Sequence, residues 1–194
     1  RDQLGAEEQE LGASDDELIA NPHFHQQNVY AIVMSTLARF EHALGRRVSW
    51  SLRGHQLKVA PHAFADANAF YSEADEALLF GYFPRRDGSG MVFSCLSYDV
   101  VAHETTHAIV DGLRTRYTDP SSPDQAAFHE GFADVVALLS VLAQPAVAKL
   151  LVPDDPDESE AEAAEHLWRA VRIVAIADVI MSLDNVIAVA AAAG

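Results

Sequence analysis

Two histidines four residues apart, with a glutamate beside the first, constrain this chain more than any other feature. The pentapeptide is His103-Glu104-Thr105-Thr106-His107, and Val100, Val101, Ile109 and Val110 flank it. Apolar residues at that spacing read as a core helix, over about residues 99–110. On a helix, residues four apart lie one turn apart on the same face, so both imidazoles can reach one ion about 2.0–2.1 Å from each nitrogen. Glu104 projects beside that ion, where it can take a proton from a water whose acidity the ion has raised.

A second helix follows a loop rich in Asp, Pro and Ser over residues 118–124. Phe128, Phe132, Val135, Val136 and Leu139 form one apolar stripe along it, and Glu130 and Asp134, one turn apart, are displaced from that stripe. A catalytic zinc needs three protein ligands and one open position, and a glutamate from a neighbouring antiparallel helix can supply the third. Asp134 is then placed to accept the other ring N–H of a ligating histidine. Without a metal, the same two acids would read as the polar face of a helix.

Upstream, Asn21-Pro22 punctuates an acidic lead. Val29, Val33, Leu37, Phe40 and Leu44 then recur at helical spacing up to Gly45, predicting a helix over about 28–44. Between Arg47 and Cys95 the period shortens. Val48, Trp50 and Leu52 alternate with polar residues, as do Leu57 and Val59, and residues 77–83 form an apolar run; these read as strands. Pro84 and Asp87-Gly88-Ser89-Gly90 mark a turn before one more short strand at 91–95. The expected class is α+β: an N-terminal helix, a small mostly antiparallel sheet, then a zincin-like helix pair, followed by an acidic linker and an apolar C-terminal helix.

Composition narrows the partners. The 194 residues carry a net charge of −16, which disfavours phosphate backbones, so nucleic acid is not an expected partner. The acidity sits in two flanks, residues 1–17 and 154–165, which read as solvated spacers. Cys95 is the only cysteine, so no internal disulfide can form, and no charged-then-apolar secretion signal opens the chain. His23, His25, His42, His55 and His62 show no ligand spacing and read as ordinary surface or loop residues.

The run from Asp99 to Asp111, followed by His129-Glu130 and Asp134, resembles the zinc-binding core of the thermolysin-like gluzincin metallopeptidases. That resemblance implies one zinc held by His103, His107 and Glu130, with Glu104 as general base and Asp134 behind a ligating histidine. Residues 68–71 resemble the family's edge-strand segment, which implies that Asn68 and Ala69 bind the backbone of a peptide or protein substrate. Tyr117 corresponds, one residue out of step, to the family's tyrosine that helps hold the oxyanion. The family also has a further helical lobe, carrying a transition-state histidine and arginine, that this chain leaves no room for. Electrostatic stabilisation is usually a large term, so the expectation is a zinc-binding chain that hydrolyses peptides poorly.

After Pro145 the character changes. Residues 173–193 are apolar except for Asp178, Ser182, Asp184 and Asn185, a length that would span a hydrocarbon core of ~30 Å as a helix. The stretches 167–172 and 177–186 are similar to the TerC-type integral membrane family, associated with tellurium resistance and metal-ion export. That resemblance would put Asp178, Asp184 and Asn185 on an ion path. The expected organisation is an acidic lead over 1–24, a gluzincin-like domain over 25–147, a linker over 148–166 and an apolar helix over 167–194. Arg169 and Arg172 favour a cytoplasmic amino-terminal side, so the chain is expected to be cytoplasmic, or membrane-associated with its first domain in the cytoplasm. Three functions compete: a zinc metallopeptidase, a non-catalytic zinc-binding module, and a fragment of a membrane metal-ion exporter.

Overall fold

In a computed structural model, residues 14–50, 56–114, 122–151 and Trp168 are described. Two helices open the described chain. The first, α1 (Asp15–Ile19), begins with a reciprocal cap in which Ser14 Oγ accepts from Glu17 N–H and the Glu17 carboxylate accepts from Ser14 N–H. The acidic lead is therefore helical over 15–19.

The second, α2 (Pro22–Leu44), starts six residues ahead of the helix read from its apolar period. Asn21 caps it, its side chain accepting from His23 N–H, and Pro22 takes a first-turn position where its missing N–H costs nothing. It ends on Gly45 at φ 63°, the left-handed conformation that favours glycine. Val29, Ile32, Val33 and Thr36 form its buried face.

A four-stranded sheet follows: β1 (Lys58–Phe64), β2 (Ala69–Ser72), β3 (Ala77–Pro84) and β4 (Met91–Phe93). The central strand is β3. It runs parallel to β1 and antiparallel to β2 and β4, with Tyr71 opposite Leu78 and Phe83 opposite Val92. Its apolar run explains its place, since Leu78 and Phe80 are fully buried. A Cβ on Gly81 would come within 2.2 Å of the Asp66 carbonyl and 2.7 Å of the Asn68 carbonyl, so the chain entering β2 crosses β3 where only glycine fits.

The alternation at Val48 and Trp50 does not make a strand; Leu52 lies outside the described residues. Val48 N–H is taken by Glu41 Oε1 at 3.0 Å, while Val48 is buried and Trp50 packs against the core. Alternating burial here comes from an extended segment laid over α2, with its amide bonded to a side chain rather than to a neighbouring strand. The segment at 91–95 also divides, with β4 giving way to a 3-10 turn at Ser94–Leu96.

Next come the long pair α3 (Tyr98–Leu113) and α4 (Pro123–Leu142), then the short α5 (Pro145–Leu151). Every residue of α3 from Val100 to Asp111 is buried, because α2, α4 and the sheet all pack against it. Thr105 and Thr106 tolerate this by donating to the Val101 and Ala102 carbonyls one turn back, at 2.6 and 2.8 Å.

The apolar stripe of α4 is not its buried face. Phe128, Val135 and Leu139 are more than half exposed, whereas Ala133 and Ala137 are fully buried and Ser140 nearly so. Small residues let α4 approach α3 closely, and that inner face also carries Glu130 and Asp134. Phe132 and Val136 turn instead towards α2, lining with Phe40 and Ala43 an apolar cavity of about 280 Å³. Helix α5 carries the chain through residue 151, past the expected start of the linker at 148; residues 152–167 and 169–194 lie outside the described residues.

Candidate metal centre

Helix α3 supplies two imidazoles and α4 a carboxylate, and the three converge. His103 Nε2 lies 2.9 Å from His107 Nε2 and 3.3 Å from Glu130 Oε2, and His107 Nε2 lies 3.6 Å from Glu130 Oε1. Ligand atoms about 2.05 Å from a tetrahedral ion stand about 3.3 Å from one another. The three distances, two of them to different oxygens of Glu130, bracket that value, so the three side chains stand at about the spacing of ligands to one small divalent cation.

Behind the triangle, hydrogen bonds fix the rings. His103 Nδ1 lies 2.9 Å from Asp134 Oδ1, so the Nδ1 proton faces the carboxylate and Nε2 faces the triangle. His107 Nδ1 lies 2.6 Å from His129 Nδ1, with the two rings stacked at a centroid distance of 4.5 Å. The tautomer in which His107 donates to His129 leaves the His107 Nε2 lone pair to the triangle. His129 serves as that acceptor because burial, with His107 beside it, lowers its pKa to about 4 and keeps the ring neutral. Sequence reading had included His129 only as a letter of the motif; its spacing to His107 crosses two helices and leaves no periodic signal.

The charges are matched to a cation. Burial works to lower the His103 pKa, but Asp134, Glu130 and Glu104 outweigh it and push it up to about 10. Burial likewise opposes a charge on Glu130, yet hydrogen bonds from His103 and His107 hold its carboxyl well below the usual carboxylate range. The carboxylates gathered around the triangle are the charges that a divalent cation there would offset, with loss of any proton on His103 Nε2.

Glu104 stands beside the two imidazoles, with a carboxylate oxygen within 4.8 Å of a ring nitrogen of each, and also reaches the sheet. Its Oε2 accepts from Tyr71 N–H at 2.8 Å, and its Oε1 is buried with no hydrogen-bond partner among the described residues. Burial is the larger influence on it and raises its pKa, against the pull of His107 and His103. A buried carboxylate with one oxygen fixed and the other unpartnered is suited to take a proton from a group placed beside the ligand triangle.

The sheet reaches this centre through β2. Among the described residues that strand pairs only with β3, and its Tyr71 spans the gap to α3: the main-chain N–H donates to Glu104 Oε2, and the hydroxyl donates to Asp111 Oδ2 at 2.8 Å. Asp111 is fully buried. Asn68 and Ala69 lie at the start of the same strand, where Asn68 Oδ1 accepts from Ala69 N–H at 2.8 Å. Of the remaining sequence candidates, Tyr117, Asp178, Asp184 and Asn185 lie outside the described residues.

The family described as "Thermolysin metallopeptidase, catalytic domain" matches residues 15–111, a stretch that contains Asn68, Ala69, His103, Glu104 and His107 and ends before Glu130. The "Integral membrane protein TerC family" matches residues 131–194, beginning inside α4 rather than near residue 149. Neither a curated protein nor a solved structure matches the chain. Helix α4 is, by length and composition, apolar enough to cross a membrane; together with the match over 131–194, it points towards membrane association.

Proposed function

Since the chain belongs, over residues 15–111, to the thermolysin metallopeptidase family, we propose that it is a zinc-dependent peptidase-like domain that hydrolyses peptide bonds at the centre built on α3 and α4. The observation that carries this reading is the convergence of His103 Nε2 and His107 Nε2, 2.9 Å apart, on the Glu130 carboxylate, whose Oε2 lies 3.3 Å from the first and whose Oε1 lies 3.6 Å from the second. Two imidazoles and one carboxylate are a donor set that suits zinc.

Zinc bound there would act as a Lewis acid, polarising a carbonyl and raising the acidity of nearby water. His103 and His107 hold it through Nε2, oriented by Asp134 and His129, and Glu130 completes the set. Glu104 is the general base: the Tyr71 amide fixes one oxygen, and the other receives the proton. An extended substrate adds along the outer edge of β2, exchanging the bond between Asn68 Oδ1 and Ala69 N–H for bonds to its own backbone. Tyr117 is assigned to the oxyanion by the family resemblance.

The test is Glu104→Gln, which removes the base and keeps the shape. The expected result is zinc-dependent cleavage of a casein-type substrate by the parent chain, even if slow, falling about 100-fold or more in the variant while zinc content stays the same. Full zinc occupancy with no cleavage by the parent chain would overturn the catalytic part and leave a non-catalytic zinc module.

The match over 131–194 favours a second property: we propose that the C-terminal part holds the chain at a membrane through residues 173–193, with the first domain on the cytoplasmic side. Extraction of native membranes with alkaline carbonate is expected to leave the chain in the pellet. Full release into the supernatant would end this reading.

A further inference from the structure

A second cluster of metal-binding side chains lies away from the α3–α4 centre. His25 on α2, His62 on β1 and Cys95 in the 3-10 turn each offer one ligand atom, and these atoms all lie within 4.8 Å of one another. We propose that these three residues form a second metal site, taking a borderline-soft divalent cation of the zinc class.

The donor set selects the ion. One thiolate and two imidazoles suit zinc and its relatives, whereas magnesium and calcium require oxygen ligands. His25 Nε2 lies 2.9 Å from the Ile19 carbonyl, to which it can only donate, so the ring proton sits on Nε2 and Nδ1 keeps its lone pair. That lone pair faces His62 Nε2 at 2.7 Å. His62 donates its Nε2 proton across this gap; on binding that proton passes through solvent to His62 Nδ1, and the cation takes its place once the nitrogens part to the roughly 3.3 Å that separates tetrahedral ligands.

The pieces are unequal in freedom, as an ion entering from solvent requires. His25 and Cys95 are buried, while the His62 ring is exposed and can swing by the few tenths of an ångström needed. Cys95 is held from behind by Asn28, one turn along α2 from His25, whose side-chain amide donates to the Cys95 carbonyl at 3.1 Å. Phe93 walls the site, its ring 4.6 Å from that of His25 and 5.0 Å from that of His62. Binding would remove the Cys95 proton to solvent, leaving a thiolate on the metal, and would tie α2, β1 and the turn that leads into α3 to one another.

Cobalt(II) is the probe, because a thiolate ligand gives it a near-ultraviolet charge-transfer band that imidazoles and carboxylates do not. Titration of the full chain is expected to fill two sites, one of them developing that band. Cys95→Ser should abolish the band. His62→Asn, at an exposed position that folding tolerates, should weaken cobalt binding in that phase about tenfold or more. Glu130→Ala should leave the band in place and remove the other equivalent. Cobalt binding without a thiolate band, or a band indifferent to His62→Asn, would overturn the proposal.

Discussion

Glu130→Ala is expected to weaken zinc binding at the α3–α4 centre by at least about 100-fold, since loss of a supporting partner alone costs about 10–100-fold and Glu130 is a ligand. The substitution removes the carboxylate that α4 brings to His103 and His107, with Oε2 3.3 Å from one and Oε1 3.6 Å from the other. Asp134→Asn is the comparison. It keeps the shape behind His103 but removes the charge 2.9 Å from Nδ1, and should fall within the smaller range. Competition against a chromophoric chelator, with both variants made in a Cys95→Ser background, reads this one site. Equal affinities for Glu130→Ala and the parent would remove Glu130 from the ligand set.

Phe80→Ala is expected to lower the stability of the folded chain by about 3–5 kcal/mol, measured from denaturant midpoints in the presence of a chelator. Phe80 is fully buried at the middle of β3, the strand to which all three others pair. Its loss opens a cavity that the sheet cannot close without separating from α3. A loss below about 1 kcal/mol would show that Phe80 is not the centre of this core.

The sequence carried the metal centre unusually far. His103 and His107 are legible because one helical turn joins them, and Glu130 and Asp134 because a second turn repeats the trick on another helix. His129 and Asp111 were not legible as partners, for each meets its neighbour across elements whose docking no local period encodes. The orientation of α4 was hidden for a related reason: the usual link between apolar stripe and buried face fails where a helix must turn its carboxylates inward and approach through alanines. His25 had been read as an ordinary surface or loop residue, yet it is 1% exposed in the middle of a helix turn. Its partners, His62 and Cys95, are far along the chain, so only folding brings them near. Val48 and Trp50 show the opposite error, where a true period of two came from packing over α2 without any strand beside it.

The burial of α3 on every side has a consequence for how this gene can drift. A helix at a protein surface spares two or three positions in every turn for neutral change, and its history is written as a rhythm. From residue 100 to residue 111 there is no such rhythm to keep, because each side chain meets another element. A substitution at any of these positions is therefore expected to disturb the element its side chain meets.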